Sequence, residues 1–372
     1  MIKLPSLRTI SRVKGQTPAR RPGQTAATAL ALGYPWRRLA VGLGGIALVG
    51  LLAAGVGTVG MPPLTVIKIV ASRIPALELA PTWPETWDTI LWQLRLPRIA
   101  LAGIVGASLA MSGATYQGLF RNPLADPYLI GVASGAGLGA TIVLVTGVPF
   151  NFFGISLLPV AAFIGAVAAV SVAYLIARNT EGLPLTTLIL AGIAIASLAG
   201  AVSTLLMIRS DPDLRPVLSW LLGGFASAQW KHSVMMLPYL VPSVLVVVTY
   251  GRVINVLQLE EEHSQQLGVN VERTKLLLIG AASLATAAAV SFSGLIGFVG
   301  LIAPHAVRLM WGVDYRSLLP MAAIVGAAFL ILADLAARTV VSPAELPVGV
   351  VTAFCGAPFF LYLLRHRRQV PM

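Results

Sequence analysis

The sequence has little charge. Only 11% of its 372 residues are Asp, Glu, Lys or Arg, whereas an average soluble domain has about 25%. Hydrophobic residues make up 57% of the chain, and the mean hydropathy is +0.84. A soluble surface around so large a core would need more charge, so the composition excludes a soluble enzyme and a disordered protein. It favours an all-α polytopic membrane protein, because the apolar runs are long and continuous rather than alternating.

Cysteine is equally scarce. Cys355 is the single cysteine of the chain, which excludes an intramolecular disulfide. It lies within an apolar run, so we expect it to behave as a small buried hydrophobic residue.

The motifs of several chemistries are absent. The chain has no G-x-x-x-x-G-K-[ST] and so no P-loop for a nucleotide, and it has neither H-E-x-x-H nor G-x-S-x-G. His305 has no Cys, Asp or second His at a metal-ligand spacing, so we predict no metal site and no catalytic residue. Acidic residues are nearly missing from the centres of the apolar runs, where ion-coupled carriers usually keep ionisable groups. An ion-coupled secondary transporter is therefore the disfavoured alternative.

Ten apolar runs are present, each of roughly the length needed to cross a bilayer. They cover residues 39–60, 96–117, 126–147, 157–177, 183–208, 232–251, 273–292, 295–312, 318–337 and 348–365. An eleventh apolar piece, residues 217–227, is too short to cross and predicts a half-helix.

Positive charge is concentrated towards the ends of the chain. Residues 1–38 hold eight Lys and Arg and no acid. Ten spans put both termini on one side, and if that side is the cytoplasm, the inner segments carry 18 of the 26 Lys and Arg. This bias predicts cytoplasmic N- and C-termini. The predicted domains are a basic, disordered cytoplasmic tail at 1–38, a ten-helix transmembrane domain at 39–366 and a cytoplasmic C-terminus at 367–372.

Three arginines run against this bias, because the topology places them outside. Arg95-Leu-Pro-Arg98 lies at the outer end of the second span, and Arg338 lies near the outer interface together with Glu345. They are either interfacial anchors or a cationic docking point for an acidic partner, since Arg binds carboxylates bidentately. Arg338 either pairs with Glu345 or faces outward.

The longest internal loop covers residues 257–270. Its pattern predicts a short amphipathic helix that ends at Gly268. On the cytoplasmic face, such a polar helix is either a contact for a soluble partner or a solvated connector.

Two other segments suggest local structure. Asp126 is a candidate cap for the third span. Gly294, Gly297 and Gly300 recur at every third residue and predict one close-packing helical face.

Four of these stretches together resemble one family. They are Arg95-Leu-Pro-Arg98, Arg121-Asn-Pro-Leu-Ala-Asp-Pro127, Gly294-Leu-Ile-Gly-Phe-Val-Gly-Leu-Ile-Ala-Pro-His305 and Glu345-Leu-Pro-Val-Gly-Val-Val-Thr352. In this order they resemble the permease subunits of the iron-chelate and cobalamin (FecCD-type, type II) ABC importers, from about residue 40 to residue 366. The basic tail has no clear counterpart in that family.

The resemblance implies a ten-span permease in the bacterial inner membrane that forms a homodimer. Two cytoplasmic ATPase subunits and an extracytoplasmic binding protein would complete the importer. The chain itself would bind no cofactor, and ATP and Mg would be used by the ATPase. The substrate would be a large metal chelate, with ferric siderophores first and cobalamin and haem close behind.

The resemblance also assigns roles to individual residues. Arg95, Arg98 and Arg338 match the arginines that receive acidic residues of the binding protein. The loop residues that match the segment seated on the ATPase are Glu260, Glu261, Gln265, Leu267, Gly268 and Val269.

Overall fold

The computed structural model describes residues 36–74, 80–148, 151–152, 155–178, 183–209 and 214–366. Residues 1–35 of the predicted tail and the predicted C-terminus at 367–372 lie outside the described residues.

The described part of the chain is helical apart from one small hairpin, which confirms the all-α prediction. The helices are α1 (Trp36–Gly55), α2 (Pro63–Ala71), α3 (Glu85–Thr89), α4 (Leu96–Leu119), α5 (Val132–Thr146), α6 (Leu157–Ala177), α7 (Leu185–Arg209), α8 (Arg215–Leu221), α9 (Trp230–Thr249), α10 (Gly251–Leu257), α11 (Glu261–Gln266), α12 (Val271–Ser293), α13 (Val299–Trp311), α14 (Tyr315–Thr339) and α15 (Val348–His366). The hairpin pairs β1 (Asn151–Phe152) with β2 (Ile155–Ser156).

Each of the ten predicted spans coincides with a helix. Seven helices are long and apolar enough to cross a membrane, among the described residues: α1, the continuous helix Glu85–Leu119, α6, α7, α9, α12 and α14. The other three spans coincide with α5, α13 and α15. The helices α5 and α13 are shorter than these seven, and the apolar stretch of α15 is Val348–Tyr362. The predicted half-helix is α8, which has only seven residues.

The helix α4 forms the centre of the bundle and is mostly buried. Its small residues allow backbone contact with two neighbours. A Cβ at Gly106 would overlap the carbonyl oxygen of Gly326 in α14, and a Cβ at Gly113 would overlap that of Gly300 in α13. Because lipid supplies no hydrophobic force between helices, this close approach is what holds such helices together.

The helix α4 also has an extension at its N-terminal end. A π-helical segment, Ile90–Arg95, joins α3 to α4 without a break, so the continuous helix has 35 residues. At 1.5 Å per residue it is about 52 Å long, which exceeds the roughly 30 Å hydrocarbon core. One of its ends therefore projects beyond that core.

Two predictions of local structure are wrong. Asp126 accepts a hydrogen bond from the Tyr128 N–H at 2.8 Å and caps a 3-10 helix, Pro127–Ile130, because α5 begins only after Gly131 turns the chain at φ +91°. Gly294 and Gly297 lie outside helices, between α12 and α13. Helical spacing does not apply there, so the three glycines share no face.

Cys355 was expected to be buried, and it is exposed on α15. An apolar run predicts burial only where the surroundings are aqueous. On a membrane helix the outer face is apolar as well, so a thiol can lie there without a polar partner.

Candidate functional site

Polar side chains gather at the two ends of α4. Arg95 and Arg98 lie at its start, and Arg121 follows its end. The helix α14 runs in the opposite direction, since Arg338 in its last turn lies near the start of α4. We call the first end, defined by Arg95, Arg98 and Arg338, the arginine end. We call the second, defined by residues 257–270, the loop end.

At the arginine end, Arg95 is buried against the C-terminus of α1, with 6% relative exposure. Its Nη1 donates to the Ala54 carbonyl at 2.5 Å, and its Nη2 donates to the Val59 carbonyl. Arg338 Nη2 donates to the neighbouring Ala53 carbonyl. The last carbonyls of a helix have no intrahelical partner and carry partial negative charge, so the two arginines cap α1.

Arg98 forms the ionic centre of the same end. Its Nε lies 2.9 Å from Asp334 Oδ1 and its Nη2 lies 2.8 Å from the same carboxylate, while its Nη1 contacts Glu345 at 3.0 Å. Arg338 Nε is 3.9 Å from Asp334. Neither alternative for Arg338 is therefore found. Arg338 does not pair with Glu345, and it does not point freely outward, because it contacts Asp334 and the Ala53 carbonyl.

The structure brings the three predicted arginines together around one cavity of about 320 Å³. Gly57 forms part of its wall, where a Cβ would lie 2.7 Å from Arg95 Nη2 and 3.3 Å from Arg338 Nη1. Three guanidinium groups face two carboxylates, so the cluster keeps an excess of positive charge. A cavity of this kind is chemically suited to an anionic group such as a carboxylate. The docking role of the arginines stays a prediction.

The residue that sequence reasoning missed is Asp334. It lies 236 positions from Arg98 in sequence, towards one end of its predicted span. Its position four residues before Arg338 places both side chains on one helical face, which is the available signal.

At the loop end, the predicted short helix and its end at Gly268 are confirmed. The helix is α11, and Gly268 follows it at φ +84°. The Gly268 N–H donates to Gln265 O at 2.9 Å and the Val269 N–H donates to Ser264 O at 3.2 Å. These two bonds form a Schellman motif, which satisfies the last carbonyls of the helix.

Side chains on one face fix α11 to the bundle. Ser264 is buried, and its Oγ donates to Val256 O of α10 at 3.0 Å. Glu261 pairs with Lys275 of α12 at 2.5 Å. The helix α10 is tied to the end of α4, because Arg121 Nε donates to Leu257 O at 2.8 Å.

The opposite face of the loop is free of such contacts within the described residues. Leu267 has 64% relative exposure, and Glu260, Gln265 and Gly268 are exposed, while Val269 is partly buried. An exposed leucine beside carboxylates and an amide, on a fixed short helix, forms a surface suited to a protein partner rather than to a small molecule.

A third feature is an apolar groove of about 560 Å³. It lies between the end of α8, residues 295–298 and α15, and Leu222, Leu295, Phe298, Gly349 and Phe354 are among its lining residues. It offers dispersion contacts and no charged anchor. Across the described residues, no group of three or more His, Cys, Asp and Glu is arranged to hold a metal ion.

The chain matches the FecCD transport family over residues 45–366. It is 49% identical to the cobalamin import system permease protein BtuC of Halobacterium salinarum over 284 residues, which are 76% of this chain and 75% of the relative. It is 40% identical to the hemin transport system permease protein HmuU of Yersinia pestis over 316 residues, 82% of this chain and 94% of the relative.

A solved structure gives the same result for the fold. It is described as an inward-facing conformation of a metal-chelate type ABC transporter, and it is 30% identical with a TM-score of 0.77. The similarity covers 88% of this chain and 99% of that chain. By sequence and by fold, the chain belongs to the FecCD transport family, whose members are ABC transporter permease subunits and not themselves enzymes.

Proposed function

We propose that the chain is the membrane subunit of an ATP-driven importer that moves a large metal chelate from a binding protein into the cytoplasm. The observation that carries this proposal is the pair of polar sites at opposite ends of α4, within a chain of the FecCD family. One end suits an acidic partner and the other end suits a second soluble protein. ATP and Mg would be used by that second partner, because the chain has no P-loop.

Cobalamin and haem are the substrates that the relatives support. One similar relative is named for cobalamin import and another for hemin transport. The ferric siderophore stays a prediction from the sequence resemblance. An ion-coupled mechanism has no support among the relatives.

For the assembly, we propose a homodimer with two ATPase subunits and one extracytoplasmic binding protein. The apolar groove beside α15 would face the second copy and the pathway, and the other apolar helix faces would contact lipid. The groove itself supports this arrangement, because Phe354 of α15 is 77% exposed on its wall and a concave apolar surface of this size is the usual form of a binding site.

For the orientation, we propose that the loop end faces the cytoplasm of a bacterial cell and that both termini lie on that side of the inner membrane. The supporting observation is basic side chains at the loop end. Arg38 donates to Trp311 O at 3.5 Å, and Arg121, Arg252 and Arg316 lie near the same end. Positive charge accumulates on the cytoplasmic side of membrane proteins.

Transport into proteoliposomes tests the function. The chain would be reconstituted with its ATPase subunit and binding protein, which we expect to be encoded beside its gene, and uptake of cobalamin, haem and a ferric siderophore would be measured. We expect uptake of one chelate that requires Mg-ATP and the binding protein together. Uptake driven by a proton or sodium gradient without ATP would instead establish the carrier alternative.

The docking role is tested at Arg338. Reversal of Arg95 and Arg338 to Glu would also break their hydrogen bonds to the α1 carbonyls, so a milder pair of variants is needed. Arg338→Lys keeps the charge and Arg338→Gln removes it, while both lose the planar guanidinium. We expect slower association of the binding protein, with weaker salt dependence, in Arg338→Gln than in Arg338→Lys.

Arg73→Gln is the control for this test. Arg73 is exposed and pairs with Asp88, outside the arginine cavity. Equal association rates in Arg338→Lys and Arg338→Gln, at low and at high salt, would show that the arginines are structural anchors only.

A further inference from the structure

The two carboxylates that bind Arg98 differ in accessibility. Asp334 has 3% side-chain exposure and Glu345 has 43%, although both lie within 3.0 Å of the same guanidinium. Asp334 stands on the helix α14, whereas Glu345 stands in the connection to α15. One carboxylate is therefore fixed inside the protein and the other lies at the opening of the arginine cavity.

Because of this difference, another carboxylate can replace Glu345 on Arg98 more easily than it can replace Asp334. A buried charge that loses its partner is strongly destabilised, so Asp334 stays with Arg98. A partly exposed ion pair contributes little to stability, so Glu345 can leave at small cost. If another carboxylate enters the cavity and binds Arg98, the guanidinium keeps two acidic partners.

The backbone after Glu345 leads directly to the apolar groove. Leu346 N–H donates to Ala337 O at 2.9 Å, Val348 N–H to Gly223 O at 2.9 Å and Gly349 N–H to Leu222 O at 3.1 Å. Leu222 and Gly349 line the groove. A Cβ at Gly349 would overlap the Leu222 carbonyl oxygen, so these segments are in backbone contact. A shift of the backbone at Glu345 would therefore be transmitted to Gly349, four residues later, in the groove wall.

We infer that Glu345 occupies, in this conformation, the place on Arg98 that a carboxylate of the docking protein takes, and that its release moves the start of α15 in the groove wall. This inference rests on the proposed function, because it assumes that an acidic partner docks at the arginine end. It adds to that function a residue of the chain, Glu345, that competes with the docking protein for Arg98. It also adds a backbone connection between the docking site and the groove.

The test uses Glu345→Gln in the complete complex of permease and ATPase in lipid nanodiscs. The probe is the binding protein that supports uptake in the proteoliposome assay. We expect its Kd to fall about two- to fivefold, because the resting competitor is removed at the cost of one weak ion pair. We also expect the binding protein to stimulate ATP hydrolysis less than half as strongly as in the parent, because release of Glu345 no longer accompanies docking. Glu345→Asp, which restores the charge, should recover part of both parent values.

Glu85→Gln is the matched control. Glu85 is exposed at the arginine end, and it forms no ion pair within the described part of the chain. It therefore reports the general effect of removing one negative charge from this face, and we expect it to change the Kd less than Glu345→Gln does.

The outcomes separate the inference from the proposed function. An unchanged Kd in Glu345→Gln, or an equal fall in Glu85→Gln, overturns the inference while docking through Arg338 can still hold. If Arg338→Gln and Arg338→Lys associate alike, docking at the arginine end and the inference fail together. A lower Kd with undiminished stimulation also overturns the link to the groove.

Discussion

Among single residues, Asp334 has the greatest effect on the arginine end. It is buried at 2% relative exposure and lies within 4 Å of both Arg98 and Arg338. Without its charge, Arg98 would keep only the half-exposed Glu345, and Arg338 would lose the carboxylate that lies 3.9 Å from it. We therefore regard Asp334 as the group that keeps the arginines in place, whatever binds them from outside.

We predict that Asp334→Asn lowers the free energy of unfolding by about 3–5 kcal/mol, as removal of one partner from a buried ion pair does. The measurement is the thermal unfolding midpoint of the purified protein in detergent. Asp88→Asn serves as the control, because its partner Arg73 is exposed and Asp88 itself is only partly buried, so the pair should contribute about 0–1 kcal/mol. Similar midpoints for the two variants would contradict this account.

Individual contacts at the arginine end show which features could not be predicted from the sequence. Arg95, Arg98 and Arg338 could be grouped from their positions in the topology and from the family resemblance. Their pairings could not, because Arg95 meets Ala54, and Arg98 meets Asp334 and Glu345, only through the packing of α1, α4 and α14. A backbone carbonyl at the end of a helix accepts a hydrogen bond whatever its side chain is, so the sequence does not reveal which residue accepts it.

Among the elements, the spanning helices were the most predictable part. An apolar run of about 20 residues has few alternatives in a bilayer, because every backbone polar group needs a partner there. The short helices α2 and α3 and the π-helical segment were not predicted. They lie in connections whose conformation depends on contacts with distant residues, such as Arg95 with the end of α1.

Gly268, which ends α11, fixes the backbone conformation of the loop end. Nothing lies within 4 Å of a Cβ placed on Gly268, so a side chain there strains only the backbone. The left-handed conformation costs most residues roughly 1–2 kcal/mol, and Asn less. We expect Gly268→Val to weaken binding of the ATPase subunit by up to about 5–30-fold, and Gly268→Asn to bind nearly as the parent does.

Binding of the purified ATPase subunit to permease in nanodiscs measures this effect. Docking of the binding protein, measured on the same samples, should be unchanged in both variants. If Gly268→Val binds the ATPase with the parent affinity, the loop end is a solvated connector.

The crossing of α4 and α13 depends on the absence of a side chain at Gly113. Gly113→Ala would force α4 away from Gly300 of α13, and overpacking of this kind costs about 1–3 kcal/mol or more. Gly280→Ala in α12 is the matched control, because nothing lies within 4 Å of its Cβ. We expect a lower unfolding midpoint for Gly113→Ala and an unchanged or slightly raised one for Gly280→Ala. Equal midpoints would show that the α4–α13 contact can relax without cost.

For the whole molecule, the two ends of α4 should lie on opposite sides of the membrane. In a Cys355→Ser background, single cysteines at Glu85 and at His263 would report each side, since both positions are exposed. We expect a membrane-impermeant thiol reagent to label Glu85→Cys only in right-side-out vesicles. The same reagent should label His263→Cys only in inside-out vesicles. The reverse pattern would invert the proposed orientation, and labelling of both from one side would rule out the ten-span topology.

The contacts of α4 with α13 and α14 also have a mechanical consequence. At Gly106 and Gly113 the nearest contacts are backbone against backbone, so at these two points no change of side-chain rotamer can let one helix slide past another. We therefore expect the three helices to tilt together as one rigid body. The helix α4 has 24 residues and is about 36 Å long, so a tilt of about 5° about its start would displace its far end by about 3 Å. An angle that is hardly detectable at the arginine end would therefore become a shift of about one hydrogen-bond length at the loop end, where we propose that the ATPase binds.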